Sequence, residues 1–417
     1  MPIYMKEASE LVSMDVKMRI ISLNSVLYGS TGKIMLNISE TVTNGGGDAI
    51  VCVPNGRHNK AKTLNKYIWI GGRLSEDLHL IIDRLTGLNG CNSYFATISF
   101  IRKIKLLNPD VVHFHNLHNC YINLPLLFNY IKSTSTPVIW TLHDCWAFTG
   151  HCPHFTMVKC DKWKTGCHHC PQYREYPKSL IDNSRYMYRL KKKWFTGVPN
   201  LTIVTPSHWL AGLVKESFLK DYPVKVIHNG IDLSLFKPTE SDFRARHGCE
   251  DKFILLGVAF DWGKRKGLDV FIELAKRLDD RFRIVLVGTN DKIDRELPPS
   301  IISIHRTQNQ NELAEIYTAA DLFVNPTRED NYPTVNMESI ACGTPVVTFR
   351  TGGSPEMLDD TCGSVVDCDD LDALESEIKR IERELPYSTE ACLAKSKEYD
   401  MNDRFAEYID LYHEVLK

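Results

Sequence analysis

The sequence predicts an α/β protein made of two doubly wound domains, and three observations lead there. Its 417 residues exceed what one core ordinarily holds, so two domains are expected. Short apolar runs alternate with helix-like segments through both halves, the pattern of parallel sheets with helical crossovers. An apolar fraction of 43% and a charged fraction of 24% are those of an ordinary globular chain, enough to fill both cores. A net charge of −2 gives no reason to expect a nucleic-acid partner. No stretch of about 20 apolar residues is present to span a bilayer. Met1-Pro-Ile-Tyr-Met-Lys-Glu lacks the basic end and apolar run of a secretion signal, so cytoplasmic residence is expected. Residues 1–17 carry no strand pattern and are read as a disordered lead, with Met18 as a second candidate start.

The first strand is Arg19-Ile-Ile-Ser-Leu-Asn, followed by a turn bearing Gly29 and Gly32 and a helix from Ile34 to Thr43. Gly29-Ser-Thr-Gly32-Lys33 is not a phosphate loop, because that motif needs glycine where Leu27 stands and Ser or Thr in place of Ile34. A glycine-rich turn between first strand and first helix still admits a ligand close to the backbone, with tight-turn geometry as the alternative. Asp48-Ala-Ile-Val-Cys-Val and Tyr67-Ile-Trp-Ile are strands flanking a basic polar loop at 55–63. Two further runs, starting at Pro109 and Pro137, end in His115 and His118 and in His143 and Asp144. Doubly wound sheets bind ligands beyond the carboxyl ends of their strands, so these polar residues point to a cleft there.

Five of the 13 cysteines fall between Cys145 and Cys170. Cys167-x2-Cys170 has metal-knuckle spacing, and Cys152 and Cys160 supply two further thiols upstream. In a reducing compartment, four cysteines in a loop with little core of its own fit structural zinc better than disulfides. Reduced, packed thiols are the alternative, and His151, His154 or His169 are substitute ligands. Beyond this loop, a helix from Asn183 to Phe195 interleaves Arg189, Lys191, Lys192 and Lys193 with Trp194 and Phe195. Phe100-Ile-Arg-Lys-Ile-Lys repeats that mixture on a smaller scale. Such segments either lie on an anionic bilayer surface or form solvated faces with one anchored aromatic edge.

Leu201-Thr-Ile-Val-Thr and Val224-Lys-Val are the last strands of the first half, and the Asn229-Gly230 turn places a domain boundary near 222–236. The second half opens with the strand Phe253-Ile-Leu-Leu-Gly-Val-Ala-Phe. Lys264, Arg265 and Lys266 then precede Gly267 at a helix start, where Arg can fork two phosphate oxygens and Lys can act as a point charge. An exposed basic turn is the alternative. Strands at Arg283 and Ile302 and a helix from Glu312 to Ala320 lead into Asn325-Pro-Thr-Arg-Glu-Asp330-Asn331-Tyr332-Pro333-Thr334-Val335-Asn-Met-Glu338. A helix from Thr334 to Cys342 would offer its amides at Thr334 and Val335 to a diphosphate. The Asp330–Pro333 turn would aim polar groups at a polyol, and Glu338 would meet hydroxyls such as a ribose diol. The ligand that satisfies all three demands is a nucleotide sugar, and an ordinary strand-turn-helix whose acids are solvated is the alternative.

The Asp330–Glu338 segment resembles the acidic-x7-acidic motif of family 4 glycosyltransferases, with Asp330 where that family more often carries Glu. Asn331-Tyr332-Pro333 replaces its commoner Gly-aromatic-Gly, and Ala259-Phe260 its usual Gly-Arg pair, so that Arg265 becomes the second cation. Asn229-Gly-Ile-Asp232 with Phe236-Lys-Pro238 resembles the family's interdomain linker, and Gly352-Gly-Ser-Pro-Glu356 another signature. Trp140 to Pro171 resembles the subgroup that includes colanic-acid and other exopolysaccharide glycosyltransferases. The resemblance implies the GT-B fold: an acceptor-binding domain over 18–222, a nucleotide-sugar-binding domain over 223–402, and a last helix, 403–417, crossing back to the first across an interdomain cleft. It implies a retaining transfer from a nucleoside diphosphate sugar to a glycan or lipid-linked glycan in exopolysaccharide, capsule or O-antigen synthesis, with no catalytic metal. His143 would sit beside the donor sugar, Asp144 would orient it or handle the acceptor hydroxyl, and Arg265 and Lys266 would hold the diphosphate. The Gly29–Gly32 turn would lie near the transferred sugar, and the protein would touch the cytoplasmic membrane face peripherally. Another GT-B nucleotide-sugar enzyme such as an epimerase, and a noncatalytic interaction module built on the cysteine loop, are the competing readings.

Overall fold

The computed structural model describes residues 17–56, 59–60 and 66–417. Most of the expected N-terminal lead and part of the basic 55–63 loop lie outside the described residues. Strands β1 (Arg19–Leu23), β2 (Asp48–Pro54), β3 (Lys66–Ile70), β4 (Val111–Phe114), β5 (Val138–Thr141), β6 (Leu201–Thr205) and β7 (Val224–Val226) form one parallel sheet in the order 3-2-1-4-5-6-7. Strands β8 (Phe253–Val258), β9 (Phe282–Val287), β10 (Ile301–Ile304), β11 (Leu322–Asn325), β12 (Val346–Phe349) and β13 (Gly363–Val366) form a second, in the order 10-9-8-11-12-13. Both sheets are covered by helices, which is why β4, β5, β6, β11 and β12 read as unbroken buried runs rather than alternating ones. In each sheet the strand order reverses once, between β1 and β4 and between β8 and β11. Those reversals open crevices beyond the strands' carboxyl ends.

One segment departs from the sequence expectations, and in two others the structure chooses the anchored aromatic edge over the bilayer face. The first helix runs Gly29–Asn44 and absorbs the glycine turn. Gly29 takes φ +67 at its start and faces open space, whereas a Cβ on Gly32 would fall 2.5 Å from the Leu27 carbonyl carbon. Gly32 therefore lets the helix close on the Val26–Leu27 backbone that leads into it. The helix Ser184–Phe195 does not present its aromatic edge outward: Trp194 and Phe195 are buried, Phe195 packing edge-on against Trp140 at 4.9 Å, and Lys191 is buried as well. Phe100 and Ile104, in the helix Tyr94–Leu107, are likewise in the core. Neither segment can lay these aromatic side chains on a bilayer, because the first domain's core already uses them.

The final helix, Met401–Val415, packs on the Gly29–Asn44 helix beneath the first sheet. Its Phe405, Tyr408, Leu411 and Tyr412 share a core with Ile20, Ile34 and Ile38. Tyr412 and Thr141 hold the buried His113 ring at 2.8 Å each. Two chain crossings join the halves and pair with each other: Ile231 donates to the Tyr399 carbonyl at 2.8 Å and Met401 to that of Ile231 at 3.0 Å. A Cβ on Gly230 would lie 2.5 Å from Met401 Cα, so only glycine allows the crossings to meet. Among the described residues no helix is long and apolar enough to cross a membrane.

Candidate active site in the interdomain crevice

The basic turn and the acidic segment come from different elements of the second domain, 64 residues apart, and the fold places them in contact. Lys264–Lys266 is a single helical turn, capped by Gly267 in the left-handed conformation at φ +77. A Cβ on Gly267 would meet the Pro326 carbonyl oxygen at 2.5 Å, so the turn sits directly on the end of β11. Arg328 holds the turn there. Its guanidinium forks the Asp269 carboxylate at 2.8 and 2.9 Å, reaches Asp369 at 2.6 Å and donates to the Lys264 carbonyl. Lys266 Nζ then pairs with Asp330 Oδ2 at 2.5 Å, and Arg265 donates to the Glu329 carbonyl at 3.3 Å. Burial alone would push the Asp330 carboxyl up, but Lys266, Arg265 and His154 outweigh it and hold it below the usual carboxylate range.

The helix that follows runs Thr334–Ala341, and no side chain caps its N-terminus. Glu338 accepts from the Tyr317 hydroxyl at 3.2 Å. Burial pushes its carboxyl up, while the Tyr317 hydroxyl, Lys33 and the Thr334 hydroxyl pull it back. Lys33 belongs to the first domain's opening helix, so Glu338 looks across the crevice.

Four members of the predicted donor set have side chains engaged by protein. Tyr332 is buried, its ring stacked on His228 of the first half at 4.8 Å, and Pro333 is buried beside it. Val335 packs on the second domain's core. Asn331 is a clamp: it accepts from Ser207 Oγ at 2.6 Å and donates to the His143 carbonyl at 3.2 Å, both across the domain boundary. Asn331 and Pro333, which stand where the family more often carries glycine, both fill this seam.

On the first domain, His143 and Asp144 follow β5 but do not pair with each other. His143 Nε2 meets His115 Nδ1 at 3.0 Å, and burial holds His143 at about 4, so it is neutral at pH 7. Asp144 pairs instead with His118 Nε2 at 3.0 Å and accepts from the Trp146 amide at 2.8 Å. Burial would raise its carboxyl, but His118, His154 and that amide hold it at about 2. The expectation that Asp144 orients His143 is therefore replaced by a His118–Asp144 pair, with Tyr176 on the other His118 nitrogen at 3.0 Å.

Several contacts of the crevice gave no sequence signal. Glu329 accepts from Thr156 Oγ1 at 3.1 Å and the Met157 amide at 2.7 Å, tying the cysteine loop to the second domain. His154, weighed above only as a metal ligand, lies among the charges of Asp144, Arg265, Glu329 and Asp330. Glu356 caps the helix His208–Glu216 across the boundary, accepting from the His208 and Trp209 amides at 2.7 Å each. None of these could be found from spacing, since each contact joins two domains. Cys152, Cys160, Cys167 and Cys170 line one pocket with His151, Trp163 and His168. His154 and His169 are not among its walls.

Two family models match the chain, Glycosyltransferase Family 4 over residues 33–235 and Glycosyl transferases group 1 over 250–384. WcaC of Escherichia coli K12, named as a colanic acid biosynthesis glycosyl transferase, is 26% identical over 285 residues, covering 66% of this chain and 67% of its own. Sucrose-phosphate synthase from Thermosynechococcus elongatus has a TM-score of 0.71 at 15% identity over 96% of this chain and 99% of its own. HepE of Anabaena in complex with UDP-glucose has a TM-score of 0.65 at 15% identity, over 94% and 99%. At these identities the structural likeness is one of fold, the two-domain GT-B arrangement.

Proposed function

Since this chain belongs to the family 4 glycosyltransferases, we propose that it moves a sugar, with retention of configuration, from a nucleoside diphosphate sugar to a hydroxyl of a glycan or lipid-linked glycan. The observation that carries this reading is the Lys266–Asp330 pair at 2.5 Å beside Arg265, at the mouth of a crevice whose other wall holds His143 and Asp144. A diphosphate arriving there meets two cations and the uncapped Thr334–Val335 amides, so the departing charge is stabilised without a metal. Asp330, released from Lys266, is free to accept from sugar hydroxyls, and Glu338 from ribose. Asp144 faces the acceptor side, and neutral His143 can hydrogen-bond the donor sugar. The UDP-glucose complex of HepE supports a nucleotide sugar as donor, and the WcaC relative supports an exopolysaccharide product.

A lipid-linked acceptor calls for a membrane face, and the helix Arg73–Thr86 offers one. Leu74, Leu78, Ile81 and Leu85 form one exposed stripe along it. Exposed Tyr94 and Phe95 lie at one end, next to Ser93, whose hydroxyl meets His79 at 2.7 Å. Exposed Leu180 and Ile181 lie at the other, Leu180 donating to the Arg84 carbonyl at 2.7 Å. A cavity of about 470 Å³ lined by Leu80, Tyr28, Asn119 and Tyr176 runs from this helix toward the His118–Asp144 pair. A patch this continuous on a soluble surface ordinarily has a partner.

The test of the transfer chemistry is Lys266→Ala. Nucleotide release from the productive donor, identified by thermal shift across nucleotide sugars, should fall about 100-fold or more while the chain still folds. Near-normal release would remove Lys266 from the diphosphate.

A further inference from the structure

The stretch between Asp144 and Ser184 has almost no regular structure of its own. It holds two single helical turns, Trp146–Phe148 and Lys162–Lys164, and is otherwise loop. Yet it must be rigid, since it carries Thr156 and Met157 to Glu329 and His154 to the crevice. What could make it rigid is the pocket walled by Cys152, Cys160, Cys167 and Cys170, all free thiols. Backbone amides are aimed at its sulfurs: Gly150 N lies 3.1 Å from Cys167 Sγ, and the Gln172 amide bonds the Cys170 sulfur. Such amide-to-sulfur hydrogen bonds are the ones a metal-bound thiolate accepts from its surroundings. A Cβ on Gly150 would fall 2.7 Å from Cys167 Cβ and 2.2 Å from the Ser184 carbonyl oxygen, so glycine is needed for that approach.

A second, independent observation is Lys191. Its side chain is wholly buried, its ammonium donating to the Trp146 carbonyl at 2.7 Å and standing 3.4 Å over the Trp146 ring. Among the described residues no carboxylate pairs with it, and burial disfavours its charged form, an effect that Cys167, Cys152 and then Asp144 oppose. A buried ammonium without a counter-charge costs several kcal/mol, whereas four thiolates around one divalent ion carry a net charge of about −2. We propose that Cys152, Cys160, Cys167 and Cys170 hold one structural zinc ion as thiolates, that Lys191 is its buried counter-cation, and that the ion fixes the 154–157 segment against the second domain. The sulfurs surround the pocket more loosely than a closed ligand sphere, and Zn–S bonds of about 2.3 Å would draw them together.

The full chain, purified in reducing buffer after growth with zinc, should carry one equivalent of zinc by elemental analysis. Replaced by Co²⁺, the site should show the intense near-ultraviolet thiolate-to-cobalt charge transfer of a four-sulfur centre. Lys191→Met should weaken zinc binding about 10- to 100-fold, with Lys191→Arg restoring most of it. Chelation should speed amide exchange at Met157 while leaving β4 protected. No bound zinc, or a full equivalent retained by the Cys152→Ser/Cys167→Ser double variant, overturns the site. Unchanged zinc affinity in Lys191→Met overturns the counter-cation, and unchanged Met157 exchange overturns the cross-domain role. None of these readouts depends on transfer, so a zinc-loaded chain that transfers nothing would refute the catalytic reading and leave this one standing.

Discussion

At the residue scale, the crevice is a set of charges whose partners lie on other elements. Lys266 and Asp330 were each legible from local pattern, one before a helix-start glycine and one eight residues before Glu338. Their pairing was not legible, because it depends on Arg328 pinning the basic turn to β11. Asp144 shows the same split: its place at a strand end was readable, its partner was not. With His118 at 3.0 Å and the Trp146 amide at 2.8 Å, it stays ionised through neutral pH. Asp144→Asn keeps the amide bond but removes the charge facing His118. At saturating donor, transfer should slow at least about tenfold with little loss of stability, and an unchanged kcat would return Asp144 to a structural role.

At the scale of elements, two predictions separate surface from core. The helix Arg73–Thr86 exposes Leu78 and Ile81, so a Leu78→Glu/Ile81→Glu variant should fold normally and bind anionic phospholipid vesicles at least about tenfold more weakly. Equal vesicle binding by the variant would dismiss that face. Strand β4 carries the opposite case. His113 is wholly buried between Tyr412 and Thr141, with the rings of His115 at 4.2 Å and Tyr408 at 5.4 Å, and burial, with the His143 charge a lesser cause, holds it at about 3. Its folded pKa lies below the unfolded value, so the native state refuses a proton that the unfolded chain accepts. Stability is thus intact above about pH 6.5 and is lost as pH falls from there toward 3, at most about 2 kcal/mol at pH 5 from this one group. Urea midpoints at pH 7 and pH 5 check this: His113→Gln should show the smaller drop, and an equal drop would rule His113 out.

At the scale of the whole molecule, the halves are joined by paired crossings, the C-terminal helix and side chains that reach across the seam. Asn331 spans from Ser207 to the His143 carbonyl, and Glu356 caps the His208–Glu216 helix from the opposite domain. Gly353 lets that seam close, since a Cβ there would lie 2.3 Å from the Asn331 carbonyl oxygen. Replacing Glu356 by Gln removes a carboxylate from a helix N-terminus, a loss of about 1 kcal/mol from the closed arrangement. The expected result is a larger radius of gyration in solution scattering and a raised KM for donor at nearly constant kcat. A variant as compact as the parent, with unaltered KM, would show that the cap does not govern closure.

Periodicity, strand-end polarity and local motifs were enough, from the sequence by itself, for two doubly wound sheets, a basic turn, an acidic pair and a cysteine cluster, because each is written within a few consecutive residues. Tertiary structure alone decided that Trp194 and Phe195 are core rather than membrane-facing, that Asn331 and Tyr332 fill a seam rather than greet a sugar, and that Glu329 and His154 belong to the crevice. The reason is physical: burial and pairing are properties of surfaces brought together by chain crossings, and no spacing along one segment encodes which distant surface it will meet.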